Sequence, residues 1–113
     1  MSINAKVENA LLGIVPNIWL FICPDERPPD EYVTYNPAID VPVEFGDNKD
    51  LVWTNYLQVH FFTKKNYIKK RSQIREALKK NGFLIDDLEI MYEKDSKFYH
   101  IIFSCNIEEN MEE

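Results

Sequence analysis

The chain has 113 residues, 45% of them hydrophobic and 28% charged, with a net charge of −6; this describes one globular domain with one hydrophobic core. Three glycines, no low-complexity tract and no internal repeat exclude a linker, a fibre and a solenoid. The longest apolar run, IWLFIC at residues 18–23, is far too short to cross a bilayer, and Lys6 and Glu8 interrupt the stretch where a signal peptide carries its apolar core, so no membrane partner is expected.

Ser2 or Asn4 is placed to cap a first helix in which Ile3, Val7, Ala10, Leu11 and Ile14 recur at helical spacing; Gly13 and Pro16 end it. Residues 17–23 read as a short apolar strand. PDERPPD, residues 24–30, has three prolines among four charges and is an exposed loop. Residues 31–35 (EYVTY) form a strand that Asn36-Pro37 should stop. Residues 41–45 allow an edge strand or extended loop at most, because Pro42 lacks a donor. FGDNKD, residues 45–50, is a turn. Residues 54–63 alternate, with Leu57, Val59 and Phe61 on one face and Tyr56, Gln58, His60 and Phe62 on the other.

The spacing predicts a second helix over 66–81, with a narrow apolar stripe of Ile68, Ile74, Ala77 and Leu78. Asn81-Gly82 stops it through a left-handed glycine, and Phe83 packs back on the last turn. Strands at 88–93 and 98–107 close the chain around the turn KDSK, the last presenting Tyr99, Ile101, Phe103, Cys105 and Ile107 as one apolar face. The predicted fold is α+β: a mostly antiparallel four- to five-stranded sheet with two helices packed on one face. One domain covers 1–113, with an acidic, flexible tail from about residue 108.

No GxSxG, Walker loop, HExxH or paired glycines occur, so no catalytic residue and no cofactor is assigned. His60, His100, Cys23 and Cys105 could meet across a sheet, but they lack the short-range ligand pairs of a structural zinc site. No metal is assigned; the histidines read as half-buried, and the cysteines as buried thiols of a reduced, cytoplasmic chain. Asp25-Glu26 and Asp86-Asp87 read as solvated carboxylates in turns.

The strongest feature is charge. Lys64, Lys65, Lys69, Lys70, Arg71, Arg75, Lys79 and Lys80 oppose the single acid Glu76, a net +7 that leaves −13 on the rest of a chain at −6. Either this is the solvated face of an amphipathic helix or it binds something acidic. Nucleic acid would want the patch undiluted, yet eight acids crowd residues 25–50 and four more lie at 108–113. Such a background opposes approach to DNA over about a Debye length, roughly 8 Å, and no aromatic stacking platform interleaves the lysines. Segregated charge suits head-to-tail contact with copies of the same chain, which closes a ring if the rotation allows.

Three segments together span residues 17–109: the strand EYVTYNP after its Pro-rich loop, the phrase DNKDLVWTNYLQVHFFTKKNYIKKRSQIREALKKNGF, and the closing hairpin YEKDSKFYHIIFSCNIEE. In these the chain resembles the small tail-terminator or tail-to-head-joining proteins of long-tailed (siphovirus-type) bacteriophages and prophages. The resemblance implies an α+β protein without enzymatic activity. It would form a ring, typically hexameric, that caps the tail tube at the head–tail junction of a virion made in a bacterial host's cytoplasm. The implied partners are the chain itself, many such proteins being monomeric before assembly, the tail tube protein and a head connector or completion protein. By position the contact regions would be the loop 24–30 with Asp25 and Glu26, the loop 46–53 with Asp47, Asp50 and Trp53, and the charged helix with Lys64, Lys65, Lys69, Lys70, Arg71 and Arg75. Trp53, an aromatic beside an acidic turn, is the candidate anchor; folding over the core edge is its alternative. The lysine-rich helix departs from what the family leads one to expect, so its role rests on charge alone. The alternatives are a head-completion or connector protein and a small nucleic-acid-binding or regulatory module built on residues 64–80.

Overall fold

The structure is a computed structural model that describes residues 2–43 and 52–110. Helix α1 (Ile3–Leu11) begins where the Ser2 hydroxyl accepts the Ala5 N–H at 3.1 Å, and it buries Val7 and Leu11, one turn apart. Then come β1 (Ile18–Leu20), β2 (Glu31–Val43), β3 (Val52–Thr63), α2 (Ile68–Lys80), β4 (Leu84–Glu93) and β5 (Phe98–Asn110). The strands form one sheet in the order β1-β2-β3-β5-β4, antiparallel throughout except for the parallel pair β1–β2. The fold is the expected α+β, with both helices on one face.

Period-two alternation builds that covered face. Val33 and Tyr35 of β2, Leu57, Val59 and Phe61 of β3, and Ile101, Phe103, Cys105 and Ile107 of β5 all point into the core. Val7 and Leu11 of α1 and Ile74 and Leu78 of α2 close over them. The Tyr35 hydroxyl donates to Glu8 of α1, which ties the first helix to the sheet without burying a lone polar group. Helix α2 ends as the sequence indicates: Gly82 has φ +96°, Gly82 N–H reaches Lys79 O at 3.1 Å, and Phe83 N–H reaches Leu78 O at 3.0 Å, so the buried Phe83 folds onto the last turn.

Several boundaries differ from expectation, each for a tertiary reason. Strand β1 stops at Leu20 because Phe21 adopts φ +69°, which turns residues 21–23 out of the sheet and leaves Cys23 half-buried in a loop, not in a strand. Strand β2 does not stop at Asn36-Pro37 but continues through a bulge between Pro37 and Ile39 and on through Pro42. Since β1 ends opposite Tyr35, the outer side of β2 beyond that point has no strand neighbour among the described residues, and there a missing N–H costs no ladder bond. Strand β4 starts at Leu84, four residues earlier than expected, by way of a bulge between Ile85 and Asp87. Strand β5 carries Glu108 and Glu109 in register with Thr54 and Trp53, so the expected flexible tail is sheet as far as Asn110. Ile68, assigned to the apolar stripe of α2, is 53% exposed at the helix start.

Beyond the helix-covered core, β2, β3 and β5 run on together as a three-stranded arm in which Val43 pairs with Val52 and Val52 with Asn110. The molecule is accordingly elongated, 52 × 24 × 24 Å. Among the described residues no helix is long and apolar enough to cross a membrane.

Candidate functional site

The basic segment wraps from the end of β3 into α2, and packing divides its charges into two groups. Lys70 is partly buried and paired with Glu31 of β2, whose other oxygen accepts the buried Thr63 hydroxyl at 2.9 Å. The Arg71 guanidinium lies 5.6 Å from the Tyr67 ring, and its Nε is buried with no hydrogen-bond partner among the described residues. Lys64 sits 3.9 Å from Asp30 and 5.0 Å above the Phe98 ring. Arg75 lies 3.6 Å from Glu76. Lys70, Arg71 and Arg75 fasten α2 to the sheet or within itself, and Lys64 fastens the connection before α2 to Asp30 and Phe98. Lys65, Lys69, Lys79 and Lys80 are exposed and make no ion pair among the described residues. The free positive charge of the surface is therefore this second group, and Lys79 and Lys80 also sit where the helix dipole favours cations.

The acidic loop lies elsewhere. Asp25 and Glu26 are exposed beside Phe21, Ile22 and Pro28, on the rim of a groove of about 250 Å³ floored by Tyr32, Thr34 and Phe62. That floor belongs to the sheet face without helices. Lys64 and Asp30 link the loop 24–30 to the basic segment, by the ion pair and by the Lys64 N–H donated to Asp30 O at 3.0 Å. Trp53 is not a loop residue: it is half-buried in β3, on the arm, paired with Pro42 and Glu109. Asp47 and Asp50 lie outside the described residues. The candidate contacts thus occupy three separate regions: arm, loop and helix.

The helix-free face also carries a cluster that the chain order conceals. His60 Nδ1 is 2.8 Å from His100 Nε2, His60 Nε2 is 3.1 Å from Asn36 Oδ1, and His100 Nδ1 is 3.2 Å from Glu93 Oε2 without the alignment of a hydrogen bond. With its Nε2–H donated to Asn36, His60 offers Nδ1 as acceptor, so His100 Nε2–H donates to it. A further proton on His100 Nδ1 would face the Glu93 carboxylate; one on His60 Nδ1 would face another N–H. Burial holds the pKa of both rings below the ordinary histidine value: for His60 the neighbouring ring adds to the effect, and for His100 Glu93 opposes it without overcoming it. Phe62 stacks on His100 at 4.1 Å between ring centres and on Tyr32 at 4.6 Å, extending the cluster toward β1. Cys105 faces the core on the other side of the sheet and Cys23 lies in its loop, so the four residues considered for zinc do not converge. Among the described residues no group of three His, Cys, Asp or Glu is placed to hold a metal ion. The sequence signal for the histidine pair is the alternation of β3 and β5, but their register decides the meeting.

No protein-family model matches the chain, and no curated protein matches it. The fold is shared. A chain from the solved virion of a native gene transfer agent (GTA) particle superposes with a TM-score of 0.57 at 7% sequence identity, over 93% of this chain and 84% of that one. At such identity the likeness is one of fold, and it extends over most of both chains.

Proposed function

We propose that this chain is a structural protein of a phage-like virion, and that it acts as a tail terminator: a ring that caps the tail tube and joins the tail to the head. The observation that carries the reading is the fold shared with a chain of the gene transfer agent virion, which covers nearly all of both chains. The resemblance of residues 17–109 to tail-terminator proteins narrows it to the head–tail junction, with the tube protein on one ring face and a connector protein on the other. Catalysis and a cofactor have no part in this reading.

The charge distribution suggests how copies meet. Lys69, Lys79 and Lys80 on α2 and Lys65 on the connection before it present positive charge without an ion pair among the described residues, while Asp25 and Glu26 on the loop and Asp40 and Glu108 on the arm are exposed acids. Like-signed faces would repel, so contact between opposite ends is favoured, and a head-to-tail contact closes a ring when its rotation allows. The test is to add the purified protein to uncapped tail tubes and follow ring formation by light scattering and electron microscopy. Tubes bearing a terminal ring support the proposal, and the Lys65, Lys69, Lys79 and Lys80 to Glu variant should leave them bare while its circular dichroism stays unchanged. A protein that ignores tubes but binds DNA with steep salt dependence would overturn it in favour of a nucleic-acid-binding module.

A further inference from the structure

We infer that the turn at Leu20, Phe21 and Ile22 is an apolar knuckle that docks into a groove at the start of α2 on a second copy of this chain. The inference rests on the reading of the chain as a self-assembling ring component and names the contact that builds the ring.

The knuckle is unusual in two ways. Its three consecutive large apolar side chains are 40%, 62% and 73% exposed, a local concentration that soluble surfaces seldom leave uncovered. It is also held in strain. Phe21 has φ +69°, uncommon for a bulky residue; its N–H donates to Tyr35 O at 2.8 Å, and the Ile22 N–H donates to Leu20 O at 2.9 Å. A bond across two residues around a positive φ is the rarer, strained form of γ-turn. Glycine would relax that turn, yet the position holds an aromatic aimed at solvent. A strained backbone displaying an apolar side chain points to a contact made elsewhere. Asp25 and Glu26 flank the knuckle with exposed negative charge, diluted by Arg27.

The groove offers the complement. Tyr67, Ile68 and Tyr99 line a cleft of about 280 Å³ whose other walls are Lys64, Lys65 and Asn66. Ile68 is half-exposed there, although its helix has a core to bury it in. Asp30 engages Lys64 and Glu31 engages Lys70, which leaves Lys65 and Lys69 to face an incoming acid. Apolar centre meets apolar centre and acidic flank meets basic flank, the arrangement of a small anchored interface.

Within one molecule the two cannot meet. The knuckle follows β1, and the groove is built on the connection from β3 into α2 together with Tyr99 of β5, two to three strand spacings or about 10–14 Å away across the sheet. The knuckle's loop borders the helix-free face, whereas the groove opens beside α2. Using both requires a second copy, and because knuckle and groove differ, each added copy leaves one of each open until a ring closes.

Paired cysteines test the contact. In a Cys23→Ser background, with Cys105 only 1% exposed, Ile22→Cys and Ile68→Cys are placed in one chain and mildly oxidised at near-millimolar concentration. The expected result is a ladder of covalent oligomers on a non-reducing gel. Each single variant should stay monomeric, and an equimolar mixture of the two should stop at dimers. Absence of the ladder overturns the contact, and so does dimerisation of Ile22→Cys alone, which would mean a symmetric knuckle-to-knuckle interface. Sedimentation of the unsubstituted protein at the same concentration separates the failures. Oligomers without a ladder leave the ring reading standing and reject this interface; monomers without a ladder reject the interface and also deny the ring its assembly in solution.

Discussion

Buried ionisable side chains make this protein sensitive to pH at both ends of the scale. Burial pushes the Cys105 thiol up from 9.0 to about 12 and the Tyr32 hydroxyl up from 10.0 to about 12, and the Tyr35 hydroxyl also moves upward through burial and its bond to Glu8. A folded-state pKa raised above its unfolded value gives stability that is complete below the unfolded value and is lost as pH climbs toward the folded one. Melting temperature is therefore expected to decline from pH 9 upward, and Cys105→Ala should flatten the first part of that decline. At the acid end the sign reverses. His60 and His100 are depressed below 6.5, so their contribution is complete above pH 6.5 and fades as pH falls, because the unfolded chain takes up the protons first. The facing nitrogens stand 2.8 Å apart, so the pair titrates as a unit. His60→Gln should shrink the loss of stability between pH 6.5 and 5, measured by urea unfolding at each pH; an unchanged slope would show that the pair does not carry it.

Among the elements, the end of α2 was legible in advance because its signal is local. Asn81-Gly82-Phe83 dictates a left-handed cap followed by an apolar residue, and the observed hydrogen bonds follow that pattern. A methyl group at Gly82 would lie 3.5 Å from the Ile107 side chain, an ordinary contact, so the cost of Gly82→Ala is conformational. It is expected at about 1 kcal/mol, read as a shift of the urea midpoint at constant m-value. Strand β2 was legible as far as Tyr35 and, as an edge strand or extended loop, again from Val41. Pro37 reads as a stop because a strand inside a sheet needs its donors, and the continuous run through it is tolerated because that half of β2 has no outer strand neighbour among the described residues; that a bulge joins the two stretches is not written in the local sequence. Likewise the acids at 108 and 109 read as tail, but β3 extends far enough to pair with them.

At the scale of the molecule, what matters is how the fold spends the basic segment. As a sequence it is one block of +7; in the structure Lys70 ties α2 to Glu31 of the sheet, Arg71 lies against the Tyr67 ring at the start of its own helix, and four lysines make no ion pair among the described residues. Self-association driven by the free group should weaken as salt rises from about 0.05 to 0.5 M, because exposed charges are screened beyond a Debye length of roughly 4–14 Å over that range. Lys70→Glu should instead lower the melting temperature of the monomer at any salt, since it sets a carboxylate against Glu31. If both substitutions acted alike, the division of the cations would be wrong. The acidic loop, the arm and α2 are distributed along an elongated body, with Asp30 and Lys64 joining the loop to the start of the basic segment.

The sequence by itself determined the order of helices and strands and the apolar face of the central ones, because periodicity, caps and turn residues act over a few neighbours; where β1, β2, β4 and β5 begin or end it did not determine. It placed Leu57, Val59 and Phe61 on one side and His60 on the other, and it carried the charge asymmetry in full. Only the tertiary structure decided that His60 meets His100, that Glu31 neutralises Lys70, and that Phe21 and Ile22 turn out of the sheet after Leu20. Those outcomes depend on strand order and register between segments up to 40 residues apart, and no local pattern encodes which partner a side chain finds across the sheet.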